Sequence, residues 1–227
     1  NKAAAEGIAA ALDRLDSEDD LRVAVLTGAG GTFCSGMDLK GFLRGESPVV
    51  EGRGFGGLTQ KSPAKPIIAA VEGYALAGGL ELMIACDLVV ANKDSKFGIP
   101  EAKRGLVAAG GGLLRLPDQI PHKVAMELAL TGKPLPAEDF HRMGLVNRIV
   151  PAGHAVEAAL ELAADIVRSG PLAVAASKAI VRRSYEWSDE EAWTKQMEFA
   201  RPAIESEDTQ EGIRAFIEKR EPQWKGR

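Results

Sequence analysis

The sequence is poor in metal-binding and redox side chains. It has two cysteines, Cys34 and Cys86, and three histidines, His122, His141 and His154, among 227 residues. The cysteines form no CxxC pair and are too few for a disulfide framework, and the histidines lack ligand-like spacing, so no structural or catalytic metal is expected. A basic excess is missing too. With 28 Lys and Arg against 32 Asp and Glu, the net charge is -4, which argues against a general nucleic-acid binder. The most apolar stretch, Ile67 to Ala91, is interrupted by Glu72, Glu81 and Asp87 and makes a poor membrane span. No secretory signal pattern precedes the first helical segment, so a reducing, cytoplasmic setting with neither membrane nor nucleic-acid partners is expected. The sequence opens at Asn1 inside an Ala-rich helical pattern, and a preceding segment is expected.

Nucleotide motifs are also absent. The strand-like VAVLT runs into Gly28, Gly30, Gly31 and Gly36, whose spacing does not give GxGxxG, and no acidic residue closes a second strand about 20 positions on. Neither Tyr74 nor Tyr185 has a lysine four residues later, and no Walker loop is present.

The composition, 45% hydrophobic and 26% charged, fits one large globular domain or one domain with an appended helical part. A helix is expected over about residues 3 to 15, then a buried strand over 21 to 27 and a glycine-rich turn. Residues 45 to 57 contain five glycines and few apolar anchors, and a mobile loop is expected there. A second strand begins after Pro66, followed by a turn, a short helix and a third strand, DLVVA. From Pro121 onward the pattern predicts helices only, over about 121 to 131, 136 to 143, 153 to 169, 171 to 186, 188 to 205 and 207 to 219. Strands early and helices late predict an α/β core over residues 1 to 120 and a helical region over 121 to 227.

Within this frame, GYALAGGLELMIACDLVV carries Glu81 near its centre. A buried carboxylate without a partner costs several kcal/mol, so Glu81 is paired, protonated, facing a cavity, or on a helix face that reaches water. Gly78 and Gly79 precede it where a helix begins, leaving backbone N-H groups free to receive an anion. A second acid, Glu101, follows Pro100 in FGIPEAKRG, where capping a helix is the alternative role.

Three ordered segments, FCSGMDLKGF, ALAGGLEL and FGIPEAKRG, together resemble the crotonase family of enoyl-CoA hydratases and isomerases, and the likeness extends to AFIEKREPQW near the end. The resemblance implies a ββα spiral core with a helical C-terminal region. It implies an oxyanion hole formed by the Met37 and Gly78 N-H groups, and two catalytic carboxylates, Glu81 and Glu101, as a hydratase requires. Ser35, Gly36, Asp38, Leu39, Lys40 and Gly79 match segments that border the acyl-CoA. Phe216 and Lys219 match a terminal helix that often completes a neighbouring subunit's CoA site. The implied reaction is addition of water to a trans-2-enoyl-CoA, with isomerisation, decarboxylation, thioester hydrolysis or a non-catalytic role as alternatives. Coenzyme A enters as part of the substrate, with no metal or redox cofactor, and a homotrimer or dimer of trimers is implied. The strand hairpin that usually opens the family is missing before the first helix.

Overall fold

The computed structural model describes residues 1–227. The chain opens with α1 (Lys2–Ser17), capped by the Asn1 side chain, which accepts the Ala4 N-H, and buries Ala5, Ala9, Leu12 and Leu15 along one stripe. β1 (Ala24–Thr27) and the one-turn α2 (Leu39–Leu43) follow. Residues 45 to 57, expected to be a mobile loop, are ordered instead: β2 (Val49–Val50) and β3 (Gly54–Phe55) form an antiparallel hairpin. Its glycines let it sit close to its neighbours. A side chain on Gly57 would come within 2.3 Å of the Ala5 carbonyl oxygen, and one on Gly56 within 2.6 Å of Leu82. Sparse apolar anchors therefore mark close backbone packing here.

The core repeats one pattern. β4 (Ile67–Val71) passes through a tight turn into β5 (Tyr74–Leu76) and then α3 (Gly78–Ala85). β6 (Leu88–Asn92) likewise passes into β7 (Lys96–Gly98), a 3-10 turn over Pro100–Arg104, and α4 (Gly112–Gln119). The first strand of each unit joins one sheet and the second joins another, which is the crotonase-type ββα spiral. All five residues of β4 are buried, as expected for a parallel strand covered on both faces.

The region after Pro121 is not helical throughout, and the structure corrects that expectation. After α5 (His122–Thr131), β8 (Leu135–Pro136) pairs antiparallel with β7. After α6 (Ala137–Arg142), β9 (Arg148–Val150) pairs parallel with β6 and completes a four-stranded sheet of order β1-β4-β6-β9. α7 (Ala155–Val167) packs Ala155 and Ala159 against Ile68, Ala70 and Val90 on one face of that sheet, while Ile67, Ala69, Val71, Val89 and Ala91 enter the larger core on the other.

Three helices follow: α8 (Pro171–Arg183), α9 (Asp189–Ile204) and α10 (Glu207–Glu218). Asp87 ties α8 to the core. Its carboxylate accepts the Ile67 N-H at 2.8 Å and pairs with Lys178 at 2.7 Å and Arg182 at 3.2 Å. No helix of the chain is long and apolar enough to cross a membrane.

Candidate active site

The site starts at the junction of β5 and α3. Ala77 has φ 53° and ψ -128°, a conformation that costs a non-glycine residue of order 1–3 kcal/mol. Its surroundings hold it there: the Ala77 N-H donates to the Gly98 carbonyl at 2.9 Å, and its own carbonyl accepts the Leu80 and Glu81 N-H groups at 2.9 and 3.2 Å. The following Gly78 N-H is the first of α3 and has no acceptor within the protein.

Opposite runs the turn Ser35-Gly36-Met37. Cys34 bridges to Ala75 in parallel register, which fixes the turn beside β5. Gly36 has φ 106°, and a Cβ there would lie 2.9 Å from the Ala77 Cβ and 3.6 Å from the Gly78 nitrogen, so only glycine lets the two segments approach. The Met37 N-H also lacks an acceptor within the protein. Two free backbone donors thus flank one cavity of about 450 Å³, whose lining includes Ser35, Met37, Ala77, Gly78, Glu81 and Glu101.

Glu81 is 3% exposed. Its Oε1 accepts the Gly112 N-H at 2.9 Å, and the glycines around it are tightly fitted: a Cβ on Gly110 would stand 2.4 Å from Oε2. Burial raises the Glu81 pKa above the ordinary carboxylate range, against the lowering effect of the Gly112 and Gly110 N-H groups and the Arg115 charge. Glu101, on the 3-10 turn after β7, also has a raised pKa, chiefly from burial and in part from the charge of Glu81. Its Oε2 is buried and has no hydrogen-bond partner. An orphaned carboxyl oxygen at a cavity wall is costly to hold and ready to accept or give a proton. Two carboxyl groups of raised pKa facing two unpaired N-H donors can move protons to and from a substrate while the donors stabilise negative charge on one of its oxygens.

The remaining residues named from the sequence divide into four groups. Ser35 and Leu39 line the cavity. Gly36 and Gly79 stand behind its wall, Gly79 packed on the Cys34 carbonyl. Asp38 caps α2, accepting the Lys40 and Gly41 N-H groups at 3.0 Å each, and the Gly41 bond above all holds its pKa below the usual range; Lys40 is exposed on that helix. Phe216 and Lys219 belong to the end of α10, and neither lines the cavity. Sequence reasoning passed over Phe55, Arg104, Leu106 and Val107, which also line it. The Gly110-Gly112 triplet, whose Gly112 N-H holds Glu81, belongs with these residues. The triplet's signal was available, since three small residues before a helix offer free N-H groups to an acid.

Comparison with known proteins identifies the family. The family model described as enoyl-CoA hydratase/isomerase matches residues 1–227. The carnitinyl-CoA dehydratase of Proteus mirabilis is 42% identical over 222 residues, 94% of this chain and 85% of that protein. The crystal structure of an enoyl-CoA hydratase from Mycobacterium tuberculosis H37Rv superposes with TM-score 0.98 at 57% identity, covering 100% of this chain and 90% of that one. The crystal structure of a carnitinyl-CoA hydratase from Mycobacterium avium gives TM-score 0.77 at 44% identity, with the same coverage of 100% and 90%. The match over the whole chain and the close superposition of the fold show that the chain belongs to the enoyl-CoA hydratase/isomerase family of the crotonase superfamily.

Proposed function

We propose that this chain adds water across the double bond of a trans-2-enoyl-CoA to give the 3-hydroxyacyl-CoA, with Glu81 and Glu101 moving the protons. It is a hydratase of the crotonase family, a lyase acting on acyl-CoA thioesters. The observation that carries the residue assignment is the pairing in one cavity of a hydrogen-bonded carboxyl, Glu81, with one whose buried oxygen is unpartnered, Glu101.

The chemistry follows from the thioester. Hydroxyl adds at C3 and a proton at C2, and the electron pair of the double bond passes through an enolate whose charge lies on the thioester oxygen. The Met37 and Gly78 N-H groups would receive that oxygen, and a single well-placed donor of this kind is typically worth ~2.7–4 kcal/mol. The glutamate pair takes one proton from the water and gives one to C2, so no proton is lost overall. Coenzyme A is part of the substrate, and none of these steps calls on a metal or redox group. With the full chain in water, crotonyl-CoA is expected to lose its conjugated enoyl-thioester absorbance and yield 3-hydroxybutyryl-CoA. Formation of a 3-enoyl isomer or of free coenzyme A without hydration would overturn the reading.

The C-terminal region over 121 to 227, and its last helices above all, is proposed to mediate a homotrimer or dimer of trimers. Phe216 is 86% exposed, with Ile213 and Ile217 exposed beside it, an apolar face on α10 with no partner in the monomer. Phe216→Glu is expected to shift the light-scattering mass toward monomer. A parent protein that is monomeric and fully active would remove the assembly from the proposal.

A further inference from the structure

We infer that the acyl pocket selects against an acyl group bearing a positive charge, and that Arg104 sets this preference. The inference rests on the hydratase reading and narrows its substrate. Three charged residues line the cavity: Glu81, Glu101 and Arg104. The two glutamates are assigned to the reacting carbons. Arg104 sits one turn beyond Glu101 on the same 3-10 segment, and its charge reaches that carboxyl, lowering the Glu101 pKa against the effect of burial. A cationic acyl group in this cavity would share it with a guanidinium, and the only acidic side chains lining it are the two assigned to the chemistry.

The rest of the wall points the same way. Proteins hold quaternary ammonium groups by surrounding them with aromatic faces. This cavity has one aromatic ring, Phe55, and that ring is packed under the start of α3, its atoms lying 2.3–3.1 Å from where a Gly78 Cβ would stand. Apart from Gln60 and Met37, the other large uncharged side chains are aliphatic, among them Leu39, Val49 and Leu106, which cannot replace the water lost by a cation. Carnitine carries a trimethylammonium group on the carbon next to the one bearing its hydroxyl. Such a group would also crowd the place where the two carboxyls must hold a water. Identity of 42% to a carnitinyl-CoA dehydratase is thus compatible with a different acyl preference.

The test compares kcat/KM for crotonyl-CoA and for its C4-trimethylammonium analogue in the parent, Arg104→Leu and Arg104→Glu. The parent is expected to favour crotonyl-CoA by at least about a hundredfold. Arg104→Glu should narrow that ratio by about tenfold or more, Arg104→Leu by less, and high salt should narrow it in the parent. Loss of a contact between Arg104 and the coenzyme would change both substrates alike and leave the ratio alone. A parent that hydrates the charged substrate as well as crotonyl-CoA overturns the inference, and a ratio unmoved in both variants overturns the role of Arg104. Binding of the two saturated analogues, measured by calorimetry, reads the same preference without turnover. A protein that discriminates in binding but hydrates neither enoyl thioester would sink the hydratase reading and leave the charge selection standing.

Discussion

Glu101→Gln is expected to lose at least about a hundredfold in kcat for enoyl-CoA hydration while melting at the same temperature as the parent or higher. The two halves have one cause. The Glu101 carboxyl keeps a buried oxygen without a partner, so the fold gains little from its charge, whereas proton transfer depends on it. Burial and the neighbouring Glu81 raise its pKa, so the folded protein holds that proton more tightly than the unfolded chain. The stability tied to the protonated form is complete below the ordinary carboxylate range and is lost as pH rises through the raised value. A glutamine loses nothing over that window, so its thermal advantage should widen from acid to neutral pH. Turnover and melting curves on one preparation check both parts. Near-parental turnover would remove Glu101 from the mechanism, and a fall of many degrees in melting temperature would make it a structural residue.

Gly79→Ala is expected to damage folding and turnover together. The added Cβ would lie 2.0 Å from the Cys34 carbonyl oxygen and 2.7 Å from its carbon, both backbone atoms that no side-chain rotation can clear. Overpacking of this kind costs typically ~1–3 kcal/mol, occasionally more. Because Cys34 is paired to Ala75, the strain must widen the gap between the Met37 turn and α3, and misplacing one donor costs about 10²–10³ in kcat. Gly7→Ala is the control: it lies within α1 with nothing within 4 Å of the new methyl, and should stabilise by ~0.5–1 kcal/mol. If Gly79→Ala melts and turns over like the parent, the two junctions are not in the contact described.

Some elements were readable from the residues alone because local chemistry and tertiary role coincide. The continuous run of β4 has nowhere to go but a covered sheet, and the amphipathic text of α9 and α10 gives both helices nearly at their observed bounds. Glu81 stood out because an acid in apolar text is expensive, whereas Glu101 was marked only by the family resemblance. Other features left no local trace. β9 is three half-buried residues, Arg148–Val150, beginning with a charge, and it is a strand only because β6 offers it an edge. The hairpin over 49 to 55 reads as part of a mobile loop, since its packing is made by the absence of side chains. The positive φ of Ala77 is imposed by its hydrogen bonds to Gly98, Leu80 and Glu81, and alanine gives no hint of it. Glu81 shows the limit from the other side. The sequence suggests that Glu81→Leu would fold at least as well as the parent, but the structure shows that it would strand the Gly112 N-H, at a cost of about 1–3 kcal/mol.

The late strand also sets a clock on synthesis. The side chain of Asn147, just before β9, accepts the Val89 N-H of β6 across a separation of 58 residues. At ribosomal rates of roughly 5–20 residues per second, the outer edge of β6 waits about 3–12 seconds for its neighbour to be made. During that interval the strongly apolar β6, paired with β4 on one side only, offers its other edge to any chaperone that reaches it first. Codon choice between residues 92 and 148 therefore bears on yield in a way that no substitution in the finished protein would reveal.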